Sequence, residues 1–329
     1  MIDTVQPSTL YGMTKSWHRP SLWVAVAMAV LSLVPLVGLV VDDRVLNGEP
    51  VWLKPLKFGL SLAIYSATLS WMLSLPHKGK RWTSGLATTI TWILFADVAL
   101  VGIQAARGTF SHFNSIKGDP YNQVVQFMFG TSIPLMFLAN VVLAVFLSVQ
   151  RLGDRPTTWA IRTGLYIAIL GMASGYLMVF QAKHKRSVVT DAAGHEIKMH
   201  GGHAVGVADG GPGMPVTTWS TTGGDLRIPH FFGMHGLQVL ILLGLGLTAL
   251  GLAERTRLRL VLVAALGYTG VFAVLTWQAL RGEPLVHPGP TTLASLLAVL
   301  AALVLGVAWA FRKSGTATPT PVRQPVPQR

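Results

Sequence analysis

The chain has no cysteine among its 329 residues, which excludes disulfide bonds, thiolate metal sites and a cysteine nucleophile. Charge is scarce too: 12% of residues are charged against 51% hydrophobic. The first 20 residues lack a short apolar core followed by a small-residue cleavage site, so the first apolar block reads as a retained helix and not a signal peptide. Several chemical signatures are also missing. There is no G-x-S-x-G, no dinucleotide fingerprint, no C-x-x-C-H and no H-E-x-x-H. Asp209-Gly210-Gly211-Pro212-Gly213 lacks the Lys-Ser/Thr ending and the following helix of a phosphate loop, and reads as a turn.

What the chain does contain is Gly, Ala, Leu and Val in blocks of about 20, the length that crosses roughly 30 Å of hydrocarbon. Eight spans follow, at 21–41, 54–75, 86–106, 125–149, 159–181, 230–252, 259–280 and 291–311. The formal charge of +13 does not point to nucleic acid, because the basic residues cluster between spans on alternate sides. Lys15 and Arg19, Lys78 to Arg81, Arg151 and Arg155, Arg255 to Arg259, and Arg312 with Lys313 fall on one side, which the positive-inside rule makes cytoplasmic. Both termini lie there. Trp23, Trp82, Trp159 and Trp309 then sit at the inner interface and Trp52 and Trp277 at the outer one. The Pro-rich tail 312–329 cannot bury a core and is expected to be disordered.

The spans carry an internal echo. Gln104-Ala105-Ala106-Arg107-Gly108 recurs as Gln278-Ala279-Leu280-Arg281-Gly282, and the same offset of 174 residues relates Pro55-Leu56-Lys57-Phe58-Gly59 to Pro229-His230-Phe231-Phe232-Gly233. The expected fold is an all-α integral membrane protein with eight transmembrane helices in two tandem parallel four-helix repeats. Its parts are a cytoplasmic segment 1–20, a first repeat 21–152, a second repeat 153–311 and the tail. The second repeat holds a long outer loop, 182–229, with nine glycines and a hairpin expected around Thr190 to Gly194; its composition favours an ordered cap.

Polar chemistry gathers at the outer side. His112, His184, His195, His200, His203, His230, His235 and His287 all fall there, with only His18 and His77 on the cytoplasmic side. Lys54, Lys57, Arg107, Arg227 and Arg281 join them, where the positive-inside rule would not put them. Snorkelling to headgroups explains any one cation, but the duplicated Gln104/Arg107 and Gln278/Arg281 pairs suggest an anion-binding lip, since guanidinium forks suit carboxylate and phosphate. Lys54, Lys57, Ser61, Tyr65 and Thr68 share one face of the second span. On the third span Asp97 shares a face with Gln104, as a counter-ion for Lys57 or a partner for Tyr65, and an intramembrane carboxylate is by default a functional hypothesis. His235 stands where the first half has Ser61, with Gln238 on its face, while His230 serves the helix start or the loop above it. Each histidine has a packing explanation beside the ligand one. His195, His200 and His203 with Glu196 form a weak candidate divalent-metal site, a solvated loop being the simpler reading.

At Gln104 to Gly108 with Ser111-His112-Phe113-Asn114, and at Gly224-Asp225-Leu226-Arg227 with His235-Gly236-Leu237-Gln238, the chain resembles an uncharacterised bacterial family of multi-pass inner-membrane proteins. In layout alone it is similar to haem A synthases, with eight helices in two four-helix halves and an outward site. That family's ligand histidines are expected on helices 2, 4, 6 and 8, whereas here helices 2, 4 and 8 have none. A haem would have to take His235 or His230 with His112. Three readings follow: an outward site for a small anionic ligand or a haem-like or metal cofactor, a transporter using Asp97 and the second-span stripe, and an accessory subunit holding a partner through its outer loop.

Overall fold

The computed structural model describes residues 14–116, 118–181 and 188–312; His184, Lys313 and most of the tail fall outside them. The chain is mostly helical, with eight helices long and apolar enough to cross a membrane: 19–41, 53–74, 80–106, 120–148, 155–180, 227–249, 254–280 and 290–311. These match the eight expected spans, with shifts of up to six residues at their starts where a Pro or an interfacial basic residue opens the first turn.

The first span is two pieces, α1 (Arg19–Leu31) and α2 (Leu33–Val41). Ser32 turns its hydroxyl back to the carbonyl of Met28, 2.8 Å away, and Pro35 supplies no N–H for the carbonyl one turn earlier, so the helix breaks there. There follow the hairpin β1 (Val45–Leu46) and β2 (Glu49–Pro50), then α3 (Leu53–Ser74), α4 (Lys80–Ala106) and α5 (Pro120–Ser148). In the second half the helices are α6 (Arg155–Ser174) with the short α7 (Tyr176–Gln181), α8 (Arg227–Ala249), α9 (Glu254–Leu280) and α10 (Pro290–Phe311). Between α7 and α8 lie β3 (Val188–Thr190) paired with β4 (Glu196–Lys198), and β5 (Ala204–Val205) paired with β6 (Gly224–Asp225), all antiparallel. The hairpin expected around Thr190 is the β3–β4 turn.

Helix neighbours follow one scheme in each half. In the first, α1 packs on α3 and α4, α3 on α4, and α4 on α5; in the second, α6 packs on α8 and α9, α8 on α9, and α9 on α10. The most extensive of these contacts, α6 on α8, is made through small residues. Gly171 and Gly233 bring their backbones so close that a Cβ on Gly171 would lie 2.7 Å from the Cα of Gly233, and His230 Nδ1 lies 2.7 Å from the Gly171 carbonyl. In lipid, where apolar side chains gain little by leaving hydrocarbon, such close approach is a main source of helix association. One apolar core links the halves, with Val24, Met72, Ile90 and Leu143 continuous with Ile161, Leu165, Leu237 and Ile241. Long apolar side chains such as Val40, Phe127, Leu242 and Leu305 face outward, as a lipid-facing surface requires.

The connections at one end of the bundle are short and basic. Those at the other end are long and pack together, and the polar chemistry lies among them.

Candidate functional site

The loop-rich end closes over a cavity of about 170 Å³. Its floor is Lys54 and Pro55 at the start of α3 with Val101 and Ala105 near the end of α4; its walls are the β1–β2 hairpin and Thr109 to Ser111; its roof is the cap segment around His203, Asp209, Gly210 and Thr218. The hairpin turns at Asn47 and Gly48, with φ of 49° and 81°, the pair of positive values that a two-residue turn matched to strand twist demands. That turn puts Glu49 over the cavity and meets the cap at Gly210, where a Cβ on Gly48 would lie 2.9 Å from the Gly210 carbonyl oxygen.

An ion network holds the cap to the helices. Asp225 closes a ring on Arg227: Oδ1 accepts from the Arg227 backbone N–H and Nε, each at 3.0 Å, and Oδ2 accepts from Nη2 at 2.8 Å. Arg227 also donates to Glu49 across the two halves and to the carbonyl of Thr218 at 2.7 Å. Lys57 Nζ lies 3.6 Å from Glu49 Oε2 and donates to the Thr217 carbonyl at 3.2 Å. The accepting carbonyls sit in a strained turn. Thr217 N–H bonds to Pro215 O at 2.7 Å around Val216, and Val216 and Thr218 have φ of 66° and 58°, values β-branched residues rarely adopt. Strain of this kind persists only where the surroundings over-determine it, and here Lys57 and Arg227 supply the hold.

Lys54 is the exception among these cations. It lines the cavity, yet no hydrogen bond or ion pair among the described residues reaches its Nζ, and the Phe58 ring is 5.8 Å away. Around it the histidines are neutral: burial first, then Arg227 and Lys54, holds His203 well below its ordinary 6.5, and burial, then Lys54 and His203, does the same for His112. Burial would raise Glu49, but Arg227 and Lys57 outweigh it and leave the carboxyl below its ordinary value. Asp209 is raised because burial exceeds the help of the His203 and Ala204 backbone N–H groups.

The sequence-derived residues divide into groups. Lys57 and His203 belong to this site, and His112 borders it, bonded to Ser111 Oγ at 2.9 Å and stacked on Phe129. Arg107 and Arg281 do not line the cavity. Each ends its helix and stays within its own half: Arg107 donates to Gln104 Oε1 at 2.7 Å and pairs with Asp119 at 2.5 Å, while Arg281 donates to Thr291 Oγ1 at 2.8 Å and lies over Trp277. The expected shared site between them is corrected accordingly. Their motif is a helix stop: Gly108 and Gly282, at φ of 70° and 73°, take the left-handed position after the helix, and Gln104 and Gln278 each donate to the carbonyl six residues on.

Asp97 pairs with neither Lys57 nor Tyr65. Ser132 Oγ donates to both its oxygens, at 3.1 and 2.9 Å, and Tyr65 donates to Asn140. His230 serves the α6–α8 crossing, and His235 Nε2 meets Ser61 Oγ at 3.1 Å. The three loop histidines do not converge: His195 folds onto Asp191, His200 bonds through its backbone to Phe113, and His203 faces Asp209. Among the described residues no group of three or more His, Asp or Glu is placed to hold a metal ion.

Glu49, Asp209 and the role of Asp225 went unread in the sequence. One signal was available, since Asp42 and Arg44 form the same ring as Asp225 and Arg227, with Trp52 Nε1 also donating to Asp42 at 2.7 Å. An Asp-x-Arg beside an apolar span thus recurs, but at a different offset from the other repeats. Comparison with family models, with curated proteins and with solved structures finds no match.

Proposed function

We propose that this protein sits in a bacterial inner (cytoplasmic) membrane with both termini inside and binds a small anionic ligand from the outer side, in the cavity over Lys54. One observation carries the reading: every other cation at the cavity is matched by carboxylates and carbonyls, whereas among the described residues Lys54 alone has no hydrogen bond or ion pair at its ammonium, only the Phe58 ring and the more distant charge of Glu49. A desolvated charge is costly unless something pairs with it, and a ligand carboxylate or phosphate supplies that pair. The volume accommodates a molecule about the size of benzene. Orientation rests on the basic residues of the short-loop end.

The two halves are a tandem repeat in this reading. Supporting it are the shared scheme of helix neighbours, the equal hydrogen bonds of Gln104 and Gln278, and the contact of Ser61 with His235. Residues at equivalent positions touch each other where a two-fold axis passes between them. The cavity, however, forms where the halves differ, at Lys54, the β1–β2 hairpin and the long cap.

The test is thermal unfolding in detergent with inorganic phosphate, acetate and succinate, on the parent and Lys54→Met. Binding to the folded state alone raises stability by about 2.7 kcal/mol at a hundredfold excess over Kd. At least one of these anions should raise the parent's melting temperature and leave Lys54→Met unmoved. Equal responses in both proteins, or none in the parent, would reject the proposal.

A further inference from the structure

A second polar site lies beneath the cavity and rests on separate observations. Asp97 is on α4, four and eight residues before Val101 and Ala105, so the three share a face of the helix, and Val101 and Ala105 form part of the cavity floor. Nine residues separate Asp97 from the end of α4, which places it about 14 Å down the helix at 1.5 Å per residue. Asp97 is 8% exposed. Ser132 on α5 donates to both oxygens, and no cation of the described residues pairs with it.

Among the described residues the elements around it leave no counter-ion in reach. On α3 the ionisable groups are Lys54 and Lys57 at the outer end, with Lys57 held by Glu49, and Tyr65, held by Asn140. Packed on α4 from the other sides, α1 offers only Arg19 at the far end of the bundle, and α5 only Tyr121, which lies under Arg107. On α4 itself Lys80 and Arg81 are at the opposite end. One apolar layer joins the cavity floor at Val101 to Val125 and Phe129, with Phe58 against them. On its outer side His112 stacks on Phe129, ring centroids 4.3 Å apart.

A carboxylate at such depth is expensive without a positive partner, and a hydroxyl offers only a dipole. We propose that Asp97 and Ser132 form a binding site for a monovalent cation, a proton or a sodium-sized ion, reached from the outer cavity through the floor at Val101. Asp97 supplies the charge and Ser132 a second oxygen, while the Val101–Phe129–Phe58 layer is the gate. Cation binding at this depth, below an anion site on the same route, is the arrangement that couples one solute to another.

The experiment is carbodiimide labelling of the whole purified protein, with modified carboxyls located by mass spectrometry. Dicyclohexylcarbodiimide reacts with protonated carboxyls in apolar surroundings, so Asp97 should be modified. Its rate should fall at least tenfold either on raising the pH, which identifies the proton, or on adding sodium chloride at fixed pH with choline chloride as the ionic control, which identifies sodium. Asp97 left unmodified in the folded protein, or modified at a rate that neither pH nor sodium changes, would overturn the proposal. The route is tested with Val101→Trp and a water-soluble carbodiimide applied from outside. Labelling by the soluble reagent should drop while labelling by the lipophilic one persists; an unchanged soluble rate would reject entry through the floor. The anion site is read by the melting temperature of the parent and Lys54→Met, and this one by labelling of Asp97, so failure of the anion site and failure of this one are read separately.

Discussion

At the scale of single residues, position decides whether a cation does chemistry or merely closes a helix. Asp225 is 1% exposed beneath Arg227. Arg227→Ala should therefore cost about 3–5 kcal/mol, because it strands a buried carboxylate. Arg107→Ala breaks a pair whose arginine is 36% exposed and should cost no more than about 1 kcal/mol. Chemical denaturation in detergent compares the two directly, and the opposite order would mean that the duplicated arginines, not the cap latch, bear the load. Lys54→Met should stabilise the ligand-free protein by about 1 kcal/mol, since sites built for ligands trade stability for function. The Gln-Ala-x-Arg-Gly repeat was legible as a repeat but not as a helix stop, because nothing along the chain shows that its arginines fold back within each half. Glu49 was invisible for a related reason: its partner Arg227 lies 178 residues away, and only closure of the cap brings them together.

At the scale of elements, apolar length was enough to find all eight spans, since about 20 residues of Leu, Val, Ala and Gly have few alternatives to crossing a bilayer. The break at Ser32 and the crossing of α6 on α8 were not legible, because they depend on which glycine meets which backbone. That crossing gives a sharp prediction. Gly171→Val drives a side chain into the backbone of Gly233 and Met234, and overpacking there should cost about 3 kcal/mol or more. Gly246→Val, at a position with open space beside it, is the control and should cost under about 1 kcal/mol. Melting temperatures of the two variants check the difference. The β3–β4 hairpin of the cap was readable from its turn residues, whereas the β5–β6 pairing and the strained turn at Val216 and Thr218 were not, because the residues that hold that turn come from α3 and α8.

Across the whole molecule, burial of neutral histidines and paired carboxylates fixes how stability should follow pH. His112 and His203 sit well below 6.5 in the folded state, so the unfolded chain binds more protons once the pH falls below about 6.5, and stability drops from there. Glu49, held below its ordinary 4.5, adds a further loss as the pH falls from that value through its folded one. Asp209, raised above 3.8, acts in the opposite sense, costing stability as the pH rises through the window above that value. Melting temperature should accordingly fall between about pH 7 and pH 5, and His203→Gln should make that fall shallower; a variant with the parent's slope would show that His203 titrates normally.

Everything proposed for the cavity depends on what occupies the space over Lys54. The most direct measurement is a pair of high-resolution maps of the parent and of Lys54→Met, each purified from the membrane in which it is made. Anion binding over Lys54 requires density for a small molecule about 3 Å from Lys54 Nζ in the parent, absent from the variant, with the Asp225–Arg227–Glu49 latch intact in both. Equal occupancy of the cavity in the two maps, or a ligand seated on Arg107 or Arg281 instead, would contradict it.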